Sequence, residues 1–165
     1  MSGEIQGAWF KAILGSMTAA ASRFPTHQRT INGMRDDTWY AWEDYVHLMR
    51  ELHKSLGDRA VEAIAQRSGM RTLPLARAKG FDSVEKVFGD FDLVLRSLVK
   101  GLPSTDSART VAFMPLAAEL ESGSRLPAPL LLGTFRGFLM GFGKIVTEAK
   151  TTPRMGMQRY SLKWM

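Results

Sequence analysis

The sequence predicts an α+β fold in which a helical N-terminal part packs on a small C-terminal antiparallel sheet. Two observations carry that prediction. Apolar residues recur at helical spacing through the first hundred positions, and alternating, β-favouring segments are concentrated towards the C-terminus, around one compact late helix. The 165 residues read as a single domain, helical over about 1–102, with a strand, a helix and a basic hairpin over about 108–165.

The first helix is expected from about Gly3 to Ala21, with Ile5, Trp9, Ile13, Met17 and Ala20 on one stripe and Pro25 ending it. Phe24 to Met34 reads as a loop marked by Pro25 and Asn32-Gly33. The second helix has the clearest pattern. Trp39, Trp42, Val46, Met49, His53 and Leu56 repeat at steps of three and four, with Asp36 or Asp37 as N-cap and Gly57 as C′. Asp58 then caps a short helix holding Val61, Ile64 and Ala65, which Gly69 stops, and Arg71 to Lys79 is irregular.

Asp82-Ser83-Val84-Glu85 offers a capping box led by Asp82 for a helix with Val84, Val87, Phe88, Phe91, Leu95 and Leu98 inside. Gly89 is a point where it divides; Gly101 and Pro103 close it. Ser104 to Ser107 is a polar loop and Thr110 to Met114 a short strand, whereas Pro115 to Gly123 fits either a helical turn or a second strand. Pro127 and Pro129 precede a compact helix of about Leu130 to Phe142. Lys144 to Ala149 and Met155 to Trp164 form a hairpin around Thr151-Thr152-Pro153. Along its last strand Tyr160, Leu162 and Trp164 make an apolar face; Arg159, Ser161 and Lys163 make a basic one.

Composition narrows the function classes. At 45% hydrophobic and 23% charged, the chain is an ordinary globular one. No apolar run approaches the ~20 residues of a membrane span, and Met1 to Ala21 reads as an amphipathic helix, not a signal peptide. With no Cys, thiol nucleophiles, thiolate zinc sites and disulfides are excluded, which fits a reducing cytoplasm. The net charge of +6 is local. From Gly123 onward the bases are Arg125, Arg136, Lys144, Lys150, Arg154, Arg159 and Lys163 against the single acid Glu148, which accounts for all of it. Such a patch faces an anionic partner, or else solubilises and protects the outer face of a sheet.

Few motifs carry chemistry. Gly133, Gly137 and Gly141 recur every four residues, a stripe that suits close helix packing or an open groove wall. Gly137 to Ile145 lacks the spacing, the hydroxyl residue and the strand-to-helix context of a phosphate loop. His47 and His53 sit six apart, off any shared ligand face, with His53 on the apolar stripe as a core histidine and His47 exposed. No Ser occupies a nucleophile elbow. Trp9, Trp39, Trp42, Tyr45 and Trp164 are either core where the layers meet or the wall of an apolar pocket.

Leu56-Gly57-Asp58, then Phe91-Asp92-Leu93-Val94-Leu95, then Gly101-Leu102-Pro103, followed by strands around a late helix, resemble the heme-NO-binding-like superfamily. That group is similar in fold to four-vinyl-reductase domains, to subunits of vesicle-tethering complexes and to a myxobacterial family. The resemblance spans about residues 1–164 and implies a ligand- or partner-binding module of this fold. It places Leu95 where the heme-binding members carry their axial His. Their Tyr-x-Ser-x-Arg clamp, and the Cys pair of many four-vinyl-reductase domains, have no match in this chain. The resemblance therefore implies the fold without heme or metal.

Together these features predict a non-enzymatic sensory or scaffold module, cytoplasmic and dimeric or partner-bound, acting in signalling or regulation. It binds an acidic protein partner or a small apolar or anionic ligand. Arg136, Arg154, Arg159 and Lys163 are the candidate anionic contacts, and Trp9, Trp42 and Tyr45 the candidate pocket wall. No catalytic residue, metal ligand or cofactor is expected. The alternative is nucleic-acid binding, with the basic hairpin on phosphates and Tyr160 and Trp164 stacking on bases. The alternation of the last strand turns the basic face outward, which favours a surface partner over a buried anion.

Overall fold

The computed structural model describes residues 3–165 and has the predicted α+β architecture, with two antiparallel sheets where the sequence indicated one. The first element is a correction. Glu4–Gln6 is a strand, β1, lying between β2 (Trp39–Ala41) and β3 (Val99–Lys100), with Ile5 opposite both Tyr40 and Val99. Its helical periodicity is real but yields to backbone partners that come from distant segments. The helix α1 runs only over Gly7–Ser16 and passes into a 3₁₀ turn, Thr18–Arg23. Ile5, Trp9, Ile13 and Met17 are nonetheless all buried, as the stripe predicts.

Pro25 starts a helix instead of ending one. It occupies the first turn of α2 (Pro25–Asn32), where a missing N–H costs nothing, so the expected loop is helical. The clearest predicted helix, α3, spans Trp42–Leu56; Trp39 belongs to β2, and Ala41, not Asp36 or Asp37, precedes the first turn. Gly57 follows at φ +86°, a conformation that favours glycine. His53 is partly exposed and meets Asp58, a correction to its place in the core: Leu48, Met49 and Leu52 take the buried face.

Helix α4 (Asp58–Ala78) runs straight through Gly69 and Pro74, which sequence reasoning treated as a stop and an irregular stretch. Its packing explains why. It crosses the late helix α7 (Ala128–Gly141) so closely that a Cβ on Gly69 would lie 2.8 Å from the Thr134 carbonyl oxygen. A Cβ on Gly133 or Gly137 would lie 2.3 Å from the carbonyl oxygens of Glu62 and Gln66 respectively. Gly133 and Gly137 thus mark a backbone-to-backbone crossing of two helices, while Gly141 packs against the Leu73 side chain.

The divided helix is confirmed as α5 (Val84–Phe88) and α6 (Phe91–Leu98), but Ser83, not Asp82, caps the first: its Oγ accepts from Lys86 N at 3.1 Å. Asp82 instead accepts from Lys86 Nζ. Pro115 to Gly123 resolves as a strand. The second sheet has the order β4 (Ala108–Met114), β5 (Ala117–Ser122), β7 (Met157–Trp164), β6 (Val146–Arg154). The hairpin turns at Met155-Gly156, later than expected, and Pro153 is tolerated because β6 is an edge strand. Leu120, Tyr160 and Leu162 face inward, where Phe135 of α7 meets Tyr160 edge-on at 5.3 Å and Phe91 at 5.0 Å. Helix α7 therefore joins the sheet on one side to α4 on the other.

Candidate functional site

The arrangement leaves a cavity of about 60 Å³ bordered by α1, α3, α4, α6 and α7. One wall is aromatic, from Trp9, Trp42, Tyr45, Phe91 and Phe138. Trp42 and Tyr45, one turn apart on α3, stack at 5.4 Å, and Phe10 closes edge-on against Tyr45 at 5.3 Å. Ile5, Leu95, Leu98, Leu126 and Leu130 add aliphatic surface. Among the described residues, the polar side-chain groups on the wall besides the Trp indoles are the hydroxyls of Tyr45, Ser68, Thr72 and Thr134. Ser68 and Thr72 flank Gly69, so the α4–α7 crossing is what brings them to the same space as Thr134.

Two of these hydroxyls are committed. Thr72 donates to the Ser68 carbonyl oxygen at 3.0 Å and Thr134 to that of Leu130 at 2.8 Å, both helical back-bonds. Tyr45 and Ser68, 8% and 5% exposed, have no hydrogen-bond partner among the described residues. Burial pushes the Tyr45 phenol well above its usual range, so it stays protonated at neutral pH.

The cavity is tied to the surface through one carboxylate. Trp42 Nε1 donates to Asp106 Oδ2 at 2.9 Å, and Asp106, whose side chain is fully buried, also accepts from Arg125 Nη2 at 2.6 Å and from the Arg125 backbone N at 3.1 Å. Arg125 reaches on to Glu43 with two bonds of 2.8 Å each. Burial alone would raise Asp106, but the bonds from Arg125 and Trp42 outweigh it and hold the carboxyl below its ordinary value. The clip also pins the loop whose next residue, Leu126, closes part of the cavity wall.

All three aromatic residues singled out from sequence, Trp9, Trp42 and Tyr45, line this cavity. The four basic ones lie elsewhere and not together. Arg136 on α7 stands 3.9 Å from Glu62 of α4, while Arg154 is exposed beside the hairpin turn. Arg159 is mostly buried between Glu119 at 3.2 Å and Glu121 at 2.9 Å, and Lys163 lies 3.8 Å from Glu148. Strand β5 thus places two acids against the hairpin, and its local charge excess is partly neutralised. Asp106, Ser68, Thr134 and Leu126 were not anticipated, and Arg125 entered only as one base of the C-terminal charge excess. A buried Asp in a polar loop and a Ser-Gly pair in mid-helix carry no periodic signal.

No family model matches the chain, and no curated protein does. Solved structures do. The unliganded iron(II) H-NOX protein from K. algicida aligns with a TM-score of 0.62 at 11% identity, over 98% of this chain and 97% of that one. An oxygen-binding H-NOX domain related to soluble guanylate cyclases, in its oxygen complex, aligns at 0.57 and 14% identity, over 96% and 92%. A mutant H-NOX from T. tengcongensis aligns at 0.56 and 14% identity, over 97% of each. The chain has the H-NOX-like fold, and at these identities the likeness is one of fold.

A heme is the group that such a fold raises, and the residues here do not fit it. Among the described residues the cavity wall has no imidazole, thiolate or thioether, and Leu95 stands on it as plain hydrocarbon. The three histidines are engaged with carboxylates elsewhere, His27 and His47 with Glu51 and His53 with Asp58. No charged side chain among the described residues lines the space to meet propionates, and its volume is far below the ~300 Å³ at which sites for drug-sized ligands begin.

Proposed function

We propose that this protein is a non-enzymatic sensory module that holds a small, largely apolar ligand in the α1–α3–α4–α6–α7 cavity and signals through a protein partner, without heme. The observation that supports it is the position of the cavity. Its wall takes Trp42 from the helix clipped to Asp106 and Arg125, and Phe138 and Thr134 from the helix that carries the sheet. A molecule seated there touches both parts of the fold, so occupancy biases how they pack. The wall pairs no nucleophile with a general base, which favours sensing over chemistry.

The partner contact is proposed to be acidic and to use Arg154 and Lys163, the more exposed bases of the hairpin; Arg159 is held by Glu119 and Glu121. Native mass spectrometry with an absorption spectrum of the purified protein tests the reading. A low-mass neutral adduct, lost on activation and without porphyrin absorbance, is expected. A stoichiometric porphyrin would overturn it.

A further inference from the structure

The cavity specifies more than apolarity. Among the described residues its wall carries no ionisable side chain except Tyr45, no carboxylate and no base, so a charged ligand would be desolvated there without a counter-ion. At about 10–15 Å³ for each water-sized sphere, the volume admits roughly four to six non-hydrogen atoms. Rings from α1, α3, α6 and α7, namely Trp9, Trp42, Phe91 and Phe138, present hydrocarbon to whatever occupies the space.

Against this background the Tyr45 and Ser68 hydroxyls stand out. Both residues are more than nine-tenths buried, both line the space, and neither hydroxyl has a protein partner among the described residues, while the neighbouring Thr72 and Thr134 hydroxyls are already bonded. Neither oxygen is among the fully enclosed unpartnered side-chain atoms, so each keeps surface open to the space and can meet a polar group that enters it.

Resting on the sensory reading above, we propose that the ligand is a small neutral oxygenated organic molecule, an alcohol or ketone of about four to six non-hydrogen atoms, whose oxygen meets Tyr45 and Ser68 and whose hydrocarbon body lies among the aromatic rings. A hydroxyl or carbonyl oxygen accepts from both side chains; a hydroxyl also donates to either. A carboxylate, a phosphate or an ammonium ion has no counter-charge on this wall.

The test uses 2-butanol, 2-butanone and isopentane, in which a methyl replaces the hydroxyl of 2-butanol. Each is titrated into the full chain and into Tyr45→Phe and Ser68→Ala, with the fluorescence of the cavity-lining Trp9 and Trp42 and ligand-observed NMR as readouts. Both substitutions keep side-chain shape, and circular dichroism with thermal melting confirms that the variants fold. Comparing the ratio of oxygenated-probe to isopentane affinity between the native and variant proteins cancels the difference in hydration between the probes. That ratio is expected to fall about tenfold in Tyr45→Phe and severalfold in Ser68→Ala, with isopentane binding unchanged. If all probes bind but the ratio does not move, the hydroxyls are satisfied by water alone; the ligand class is then wrong while the cavity remains a binding site. If none of the three binds the native protein, the sensory reading of the cavity fails with it.

Discussion

The indole of Trp42 and the carboxylate of Asp106, one on α3 and one in a 3₁₀ turn before β4, are joined by a 2.9 Å hydrogen bond with the Asp106 side chain fully enclosed. Trp42 belongs at once to the cavity wall and to the Asp106–Arg125–Glu43 network. Asp106→Ala leaves the indole N–H and the guanidinium without their shared acceptor. It is expected to cost about 3 kcal/mol, read as a lower urea midpoint at unchanged slope.

The same carboxylate predicts an acid limb. Burial opposes its ionisation, but the bonds from Arg125 and Trp42 prevail, so its folded value lies below the ordinary 3.8. Its contribution to stability is therefore full above that ordinary value and is lost as pH falls through the lowered folded value. Below about pH 4 the melting temperature of the native protein should drop more steeply than that of Asp106→Asn. Superimposable acid limbs would count against the network.

Gly137→Ala tests the crossing of α4 and α7. In an exposed helix the change would stabilise by roughly 1 kcal/mol, but here the new methyl would stand 2.3 Å from the Gln66 carbonyl oxygen and 3.0 Å from Gly69 Cα. A net loss of at least about 2 kcal/mol is expected on denaturant unfolding. Helix separation at this point should also disturb probe binding in the cavity.

The hairpin turn offers a gain. Met155 and Gly156 both have positive φ, +52° and +80°, and Met155 is 95% exposed, so its side chain contributes no packing there. Asn accepts this conformation more readily. Met155→Asn should stabilise by about 1 kcal/mol, raising the melting temperature by roughly 2–4 °C.

Arg159 and Arg154 should separate structure from surface. Removing Arg159 leaves Glu119 and Glu121 side by side without their bridge, and Arg159→Ala is expected to cost about 1–2 kcal/mol. Arg154→Ala should stay within about 0.5 kcal/mol in stability. Binding to an immobilised acidic peptide surface should weaken in Arg154→Ala, and unchanged retention would remove the hairpin turn from the partner site.

The sequence alone determined what depends on local period and local backbone freedom. The Trp42, Val46 and Met49 part of the α3 stripe, the division at Gly89, the C′ position of Gly57 and the inward alternation of Tyr160, Leu162 and Trp164 are all present in the structure. Trp9, Trp42 and Tyr45 were legible as residues of helical faces that must be covered, and the structure sets them against the cavity. Tertiary structure decided the rest. Glu4–Gln6 is a strand only because Trp39–Ala41 and Val99–Lys100 are there to pair with it, and α4 passes Gly69 because α7 lies against that glycine. The basic hairpin loses much of its excess to Glu119 and Glu121 on a neighbouring strand. Likewise, Ser68 and Tyr45 face one space only once α3, α4 and α7 have crossed. Periodicity states which side of an element is buried; which element buries it, and what polar group is left facing the gap, is settled by contacts between residues far apart in the chain.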